Sequence, residues 1–531
     1  MSDVLAGVGV LIAAAAASGA ILLPAGRPRS AAMLVALVLF PVLILGDQWH
    51  SHQIADLRGQ PSRLVALAAL ALLLSGTLAY AFSRRPVLLP LAIVAALPFR
   101  VPLHAGGDTA NLLVPLYLVI AGGVLATAIR DWRGRPAGGV AGGTTPEEAL
   151  ATAGGGGSPA TTGPAGKAVT WLPRILAAVV VLYALQTLYS ADFSKGLQNV
   201  CFFFVPFSLV YGLLREVEWD RKLLTLVVWV VAIEAVAFVI VGSVEYVSRS
   251  LFWNDQVIRS NEFHTYFRVN SVFWDPNVYG RYLSLVAVVA ISALLWARER
   301  RTLALLTALV AVLWIGLVPT FSQSSFAALL AGLAVLAALR WSLKWTALAV
   351  AASVVVVALI VTVAGSFSFS RLNIDTSGRA NLVSGGVHLF AQRPVYGYGS
   401  GSFPKAYRQH VNTRKAPVSV SHTEPITVAA EQGLVGLALY AALVVAALWA
   451  MAGNLRPSLL DLSDSRATGS ARHQPIARAA VFATFTALMV HTMAYAGFFE
   501  DPITWVLLAV GASLALAESG AASSALGCAR A

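Results

Sequence analysis

Residues 222–246 read KLLTLVVWVVAIEAVAFVIVGSVEY. Apolar side chains dominate from Leu223 to Val244, and one carboxylate, Glu234, interrupts them. The run exceeds the ~20 residues that a helix needs to cross the hydrocarbon core of a bilayer. A helix apolar on every side belongs in a protein interior or a membrane, and one this long is read as a span. The pattern recurs. Apolar runs lie near 3–23, 31–46, 63–82, 86–104, 111–129, 171–190, 196–214, 222–246, 276–297, 302–320, 325–340, 344–364, 424–453, 476–498 and 502–518. Composition agrees, with 58% hydrophobic residues, 12% charged and a mean hydropathy of +0.74, against about 25% charged in soluble domains. Soluble multidomain, disordered, collagen-like and disulfide-scaffold classes are thereby excluded. The expected fold is all-α, a polytopic transmembrane helix bundle of about 12–15 spans, with a large external loop before a late helix.

The net charge of +12 is read through topology before any partner is inferred. Alternate connections carry Arg27 and Arg29, Arg84 and Arg85, Arg130 and Arg133, Arg215 and Arg221, Arg298 and Arg300, Arg340 and Lys344, and Arg456 and Arg466. Basic residues mark the cytoplasmic side, which places the N-terminus outside and the C-terminus inside. No nucleic-acid partner is implied; the lipid bilayer is. Cys201 and Cys528 show no CxxC or zinc spacing. The opening MSDVLAGVGV lacks the basic flank of a secretory signal, so its apolar run is expected to be retained. The Gly/Ala/Thr/Pro-rich segment 134–168 reads as a flexible cytoplasmic linker. It divides N-terminal transmembrane helices (1–130), across a linker region (131–170), from a transmembrane core (171–520).

The chemistry is expected in two external connections, about 247–275 and 365–423. They hold Arg249, Arg259, Arg268, Arg371, Arg379, Arg393, Lys405, Arg408, Arg414 and Lys415. Long external loops escape the charge rule, so solvated arginines are the plain alternative. An anionic ligand explains the preference for Arg, whose rigid donor fork matches phosphate oxygens. Arg281, one to two turns into the helix after DPN, is costly at that depth: it is either a ligand-binding group or a structural pair. In SHTEPITVAAEQGLVG (421–436), Thr423 or Ser421 suits an N-cap and Pro425 a first turn. His422 then stands beside a helix N-terminus, which disfavours its protonation and leaves it able to accept a proton. Glu431 falls about 13 Å further along the helix and needs a partner such as a loop arginine. YGYGSGSF (396–403) lacks the strand and helix of a nucleotide loop and reads as backbone that approaches a ligand closely. External carboxylates show no metal-ligand spacing.

The order of these segments resembles the bacterial O-antigen ligase and O-antigen polymerase family over roughly 200–518. FWDPNVYGRYL (273–283) looks like the family's F-x-x-P-N segment. GRANLVSGGVHLFAQRPVYGYGSGSF (378–403) is similar to its G-R … P-x-x-G-x-G-x-G-x-F stretch. SHTEPITVAAEQGLVG looks like its H-[NST]-x(7)-E-x-G-x-x-G signature. Thr423 stands where Asn is frequent, Glu424 adds a charge beside it, and the N-terminal helices exceed the usual number.

The resemblance implies a metal-independent, inverting glycosyltransferase of GT-C type in the bacterial cytoplasmic membrane, without cofactor. Its donor would be a polyprenyl-diphosphate-linked glycan and its acceptor a hydroxyl of a lipid or glycan on the external face. His422 would be the base and Glu431 would orient His422 or an arginine. Arg379, Arg268 and Arg281 would take the diphosphate, Asn277 and Gly399 would shape the cavity, and Glu424 joins the substrate-binding candidates. The alternative is a transporter or flippase of a lipid-linked or anionic glycan, which usually shows ionisable groups near the midplane; the sequence offers Glu234 and His491 there. A non-catalytic assembly partner is the third class.

Overall fold

The computed structural model describes residues 3–49, 59–105, 108–134, 164–252, 254–263, 266–352, 379–411, 420–464 and 470–530. The N-terminal part comprises α1 (Asp3–Leu22), α2 (Arg27–Gln48), α3 (Pro61–Arg84) and α4 (Leu88–Ala96). An antiparallel hairpin, β1 (Val101–Ala105) and β2 (Asp108–Leu112), then leads into α5 (Val114–Trp132). Next come α6 (Pro164–Thr187), α7 (Phe193–Leu214), α8 (Arg221–Ser248) and the short α9 (Asp255–Phe263). They are followed by α10 (Pro276–Trp296), α11 (Arg300–Leu317), α12 (Gln323–Arg340) and α13 (Leu343–Ala352). The last six are α14 (Arg379–Gln392), α15 (Phe403–His410), α16 (Glu424–Ala452), α17 (Leu455–Asp464), α18 (Ser470–Thr492) and α19 (Pro502–Arg530).

Among the described residues, 12 helical segments are long and apolar enough to cross a membrane. The protein is a multi-pass membrane helix bundle, as the apolar runs require. The run near 86–104 differs from expectation. Helix α4 stops at Ala96, Leu97 and Pro98 form a turn, and the chain becomes extended from Val101 through Pro102. Pro98 and Pro102 each lack the N–H that would continue the helix, so hydropathy alone overstated that helix. Of the run near 344–364, the described residues end at 352, and most of the Gly-rich linker (135–163) also lies outside them.

The two halves share one interior. Ala13, Ala14, Ala17 and Ala20 of α1 are buried and α1 packs on α6 and α7, because small side chains let helices approach closely. Where α1 ends, its last carbonyls need donors. The Arg29 guanidinium donates to Ala20 O at 3.2 Å and to Gly212 O, and pairs with Glu216, while Arg215 donates to Ile21 O. This clamp joins the α1–α2 turn to the end of α7. Inside α7, Pro206 offers no N–H to Phe202 O, and the chain makes a π turn at Val200–Phe204. The Tyr117 hydroxyl of α5 supplies the missing donor at 2.8 Å.

At the other end of the bundle, the connections are built rather than loose. Glu245, fully buried near the end of α8, accepts from the amides of Ser271 at 2.7 Å and Asn270 at 3.1 Å. It thereby fixes the path of the chain into α10. Asp275 caps α10 by accepting from Asn277 N at 2.6 Å, and Pro276 fills the first turn. The described part of the connection before α16 holds two helices, α14 and α15.

Candidate active site

His422 lies two residues before α16, with φ at 63°, in the left-handed region that a non-glycine side chain occupies at a cost of about 1–2 kcal/mol. Its neighbours hold it there. Ser421 is buried, and its hydroxyl lies 2.8 Å from Thr427 Oγ1. The Thr423 hydroxyl donates to Met493 O at 3.0 Å, tying the turn to the end of α18. Thr423 occupies the N-cap position by backbone alone, since its side chain makes no capping bond. Pro425 sits in the first turn as expected. The imidazole is half-buried and meets the Tyr495 ring edge-on, 6.2 Å between centroids. Burial, then the nearby Arg379 charge, push His422 below the usual imidazole range, and Asp275 opposes them. Both effects favour the neutral imidazole, the form that can accept a proton.

Arg379 opens α14 and is half-buried. Its charge acts on His422, Arg268, His491 and Tyr495, which places it near this cluster. Arg268 joins it from the connection before α10. Its Nε donates to Thr320 O at 2.9 Å and its Nη2 to Asn277 Oδ1 at 3.2 Å. Asn261 brackets the Arg268 backbone, donating to its carbonyl at 2.9 Å and accepting from its amide at 3.0 Å. Burial, with Arg379, pushes the Arg268 guanidinium down and Asp275 offsets them. Three segments distant in sequence therefore deliver His422, Arg379 and Arg268 to one place, with Asn277 holding Arg268.

The remaining candidates sit differently. Arg281 is buried and lies 2.7 Å from Asp501, itself buried at the start of α19. A buried cation persists only with a partner; Asp501 is that partner here, and the Arg281 charge also acts on Tyr495 and His491. Glu431 meets neither His422 nor an arginine in the expected pairing: its carboxylate accepts from Gly401 N at 2.8 Å and Phe403 N at 2.9 Å. Those amides open α15, whose first N–H groups have no partner within the helix. Glu424 accepts from Gly497 N at 2.7 Å and Phe498 N at 3.1 Å.

Gly399 approaches protein rather than a ligand cavity. Its φ is 94°, and a Cβ there would stand 2.3 Å from Ser190 Cα. The loop it belongs to repairs a break in α16 at Gly433 (φ 67°, ψ −163°). Tyr398 N and Gly399 N donate to Ala430 O and Glu431 O at 3.1 and 2.7 Å, and Leu434 N donates to Pro394 O at 2.7 Å. The glycine-rich run is thus the splint of a broken helix.

Of the other loop cations, Arg249 lies 4.4 Å from the Tyr246 ring centre and Arg393 4.5 Å from that of Tyr398. Arg259 and Arg408 are exposed and Lys405 is half-buried. Arg371, Arg414 and Lys415 lie outside the described residues. The structure adds Tyr495, Asp275 and a buried polar group at the start of α12, where His491 Nε2 lies 3.2 Å from Ser324 Oγ and Ser322 Oγ 2.8 Å from Ser325 Oγ. Tyr495 follows a span in AYAGFFED, with no pattern to mark it. Among the described residues, no three His, Cys, Asp or Glu side chains converge on a metal position.

The stretch holding Arg379, His422 and Glu431 has known relatives. Residues 308–441 match the family described as O-antigen ligase. The resemblance read from the motifs thus holds where the family model falls, and the multi-pass fold agrees with it. No curated protein matches the chain. Arg268, Asn277 and Arg281 precede the matched stretch; only the fold brings Arg268 toward His422.

Proposed function

We propose that the protein is a membrane glycosyltransferase of O-antigen ligase type. It moves a glycan from a polyprenyl diphosphate to a hydroxyl acceptor at the external face of the bacterial cytoplasmic membrane. The observation that carries this is His422, locked in a left-handed turn, beside Arg379 and Arg268. That pairing suits one reaction. His422 takes the proton of the acceptor hydroxyl as its oxygen attacks the anomeric carbon. The new C–O bond forms as the bond from that carbon to the diphosphate oxygen breaks on the opposite face, which inverts the centre. The departing diphosphate gathers negative charge, and preorganised guanidinium groups stabilise it without a metal. The Asp275 carboxylate balances two cations and the half-buried site before the donor arrives.

The topology inferred from arginine-bearing connections puts these groups outside. A transporter would need charged groups along a central path; the inward-facing ionic contacts described within the spans are local pairs such as Tyr282 OH to Glu234 at 2.9 Å.

The test uses purified protein in proteoliposomes with lipid-linked donor. His422→Ala should lower the transfer rate by about three orders of magnitude, the scale of general-base catalysis, while donor affinity stays within about twofold. Chelator should leave the wild-type rate unchanged. Retained turnover in His422→Ala would remove the histidine from the chemistry, and loss of rate to chelator, restored by added metal, would contradict the metal-free step.

A further inference from the structure

A cleft lies beside the His422 turn, and the chain forms its wall at Val420 and again at Glu424. Its character is opposite to that of the arginine side. Glu424, Glu431 and Glu500 line it, with Lys195 at an exposed position. Glu424 and Glu431 are engaged by backbone amides. Glu500 is half-exposed, and its carboxylate has no hydrogen bond or ion pair among the described residues.

The inner wall is aromatic. Tyr183 and Phe204 stack with centroids 4.0 Å apart, and Phe499 packs 5.4 Å from Phe204. Asn199 stands among them, 5% exposed, its amide nitrogen donating to the Tyr183 hydroxyl at 2.8 Å. That bond fixes the amide and leaves Asn199 Oδ1 buried without a partner among the described residues. A buried carbonyl without a donor wants one.

The buried rings give a sugar an apolar wall, while carboxylate and amide oxygens accept from its hydroxyls. The Glu500 carboxylate disfavours a diphosphate here, and Arg379 and Arg268 attract one, so charge sorts the two substrates to different places around His422. We propose that this cleft is the acceptor subsite, taking the terminal sugar of the acceptor as a polyhydroxylated ring that is neutral or bears an amine, and rejecting one that bears phosphate or carboxylate. The assignment rests on the transferase function above.

The experiment measures initial transfer rates in proteoliposomes holding the full chain, with lipid-linked donor and envelope acceptor extracted from the source cells. Each substrate is varied in turn for wild type, Glu500→Arg, Glu500→Gln and Arg379→Lys. Glu500→Arg should raise the apparent acceptor KM by about tenfold and leave the donor KM within about twofold. Glu500→Gln, which keeps the shape and removes the charge, should move the acceptor KM the same way by a smaller factor, and serves where the arginine variant fails to fold. Arg379→Lys should do the reverse, raising the donor KM alone. Unchanged acceptor KM in both Glu500 variants, or a shift in donor KM instead, overturns the acceptor assignment. Absence of His422-dependent transfer in the wild type overturns the transferase function itself, and the subsite with it.

Discussion

At the residue scale, His422 joins two properties that the sequence kept apart. Its identity and neighbours suggested a base; its φ of 63° shows a backbone that few side chains accept. His422→Gly should therefore fold at least as well as the wild type while losing transfer, because glycine occupies this region freely. His422→Val should lower stability by about 1–2 kcal/mol, since a branched Cβ is strained there. Thermal unfolding in detergent separates the two; equal melting temperatures would mean that the turn relaxes. The pH profile gives a second handle. Burial and Arg379 lower the imidazole below 6.5, so protonation, and loss of the base, comes only as pH falls past that depressed value. The acid limb of kcat/KM should lie below pH 6.5 and climb toward it in Arg379→Gln, which removes the like charge. Arg379→Lys keeps the charge and should leave the limb in place while turnover falls, because a point charge does not replace a donor fork. A limb indifferent to Arg379→Gln would show that the two groups do not interact.

At the element scale, the glycine-rich loop and Glu431 form one device. The loop splints the break at Gly433, and Glu431, two residues earlier, caps α15 on the loop's far side. Removing the charge tests this assignment. Glu431→Gln turns one of two acceptors into a donor facing an amide, which should cost about 1–3 kcal/mol of stability and show as a lower melting temperature. If stability is unchanged while transfer is lost, Glu431 acts in the chemistry instead. The motif was legible in the sequence, but its mechanism was not. A glutamate nine residues after a histidine gives their spacing along a helix, but not the break at Gly433, two residues beyond the glutamate. The same holds for Gly399. Glycine spacing announces a close backbone approach without naming what is approached, and Ser190, some two hundred residues earlier, leaves no local trace.

At the scale of the whole molecule, hydropathy carried most of the helical architecture. The long apolar runs such as 222–246 are helices, and the exception near 86–104 failed where two prolines outweighed an apolar composition. Site assembly was legible only in part. His422 and Arg379 lie in the motif-bearing stretch, and Arg268 needed the Glu245 and Asn261 contacts that fold its connection back over α10. Arg281 carried the strongest depth argument, yet its partner Asp501 comes from the far end of the chain. Pairings at that separation are decided by packing, and single-sequence periodicity does not record them. The division of charge around the His422 turn, cationic toward Arg379 and acidic toward Glu500, likewise exists only in the folded bundle. The account stands on transfer at the external face with His422 as base, and the most direct measurement is the fate of the lipid-linked glycan in cells carrying wild type or His422→Ala. The account predicts that the variant accumulates polyprenyl-diphosphate glycan accessible from outside while mature surface polymer disappears. Glycan trapped on the cytoplasmic face, or unchanged surface polymer, would contradict it.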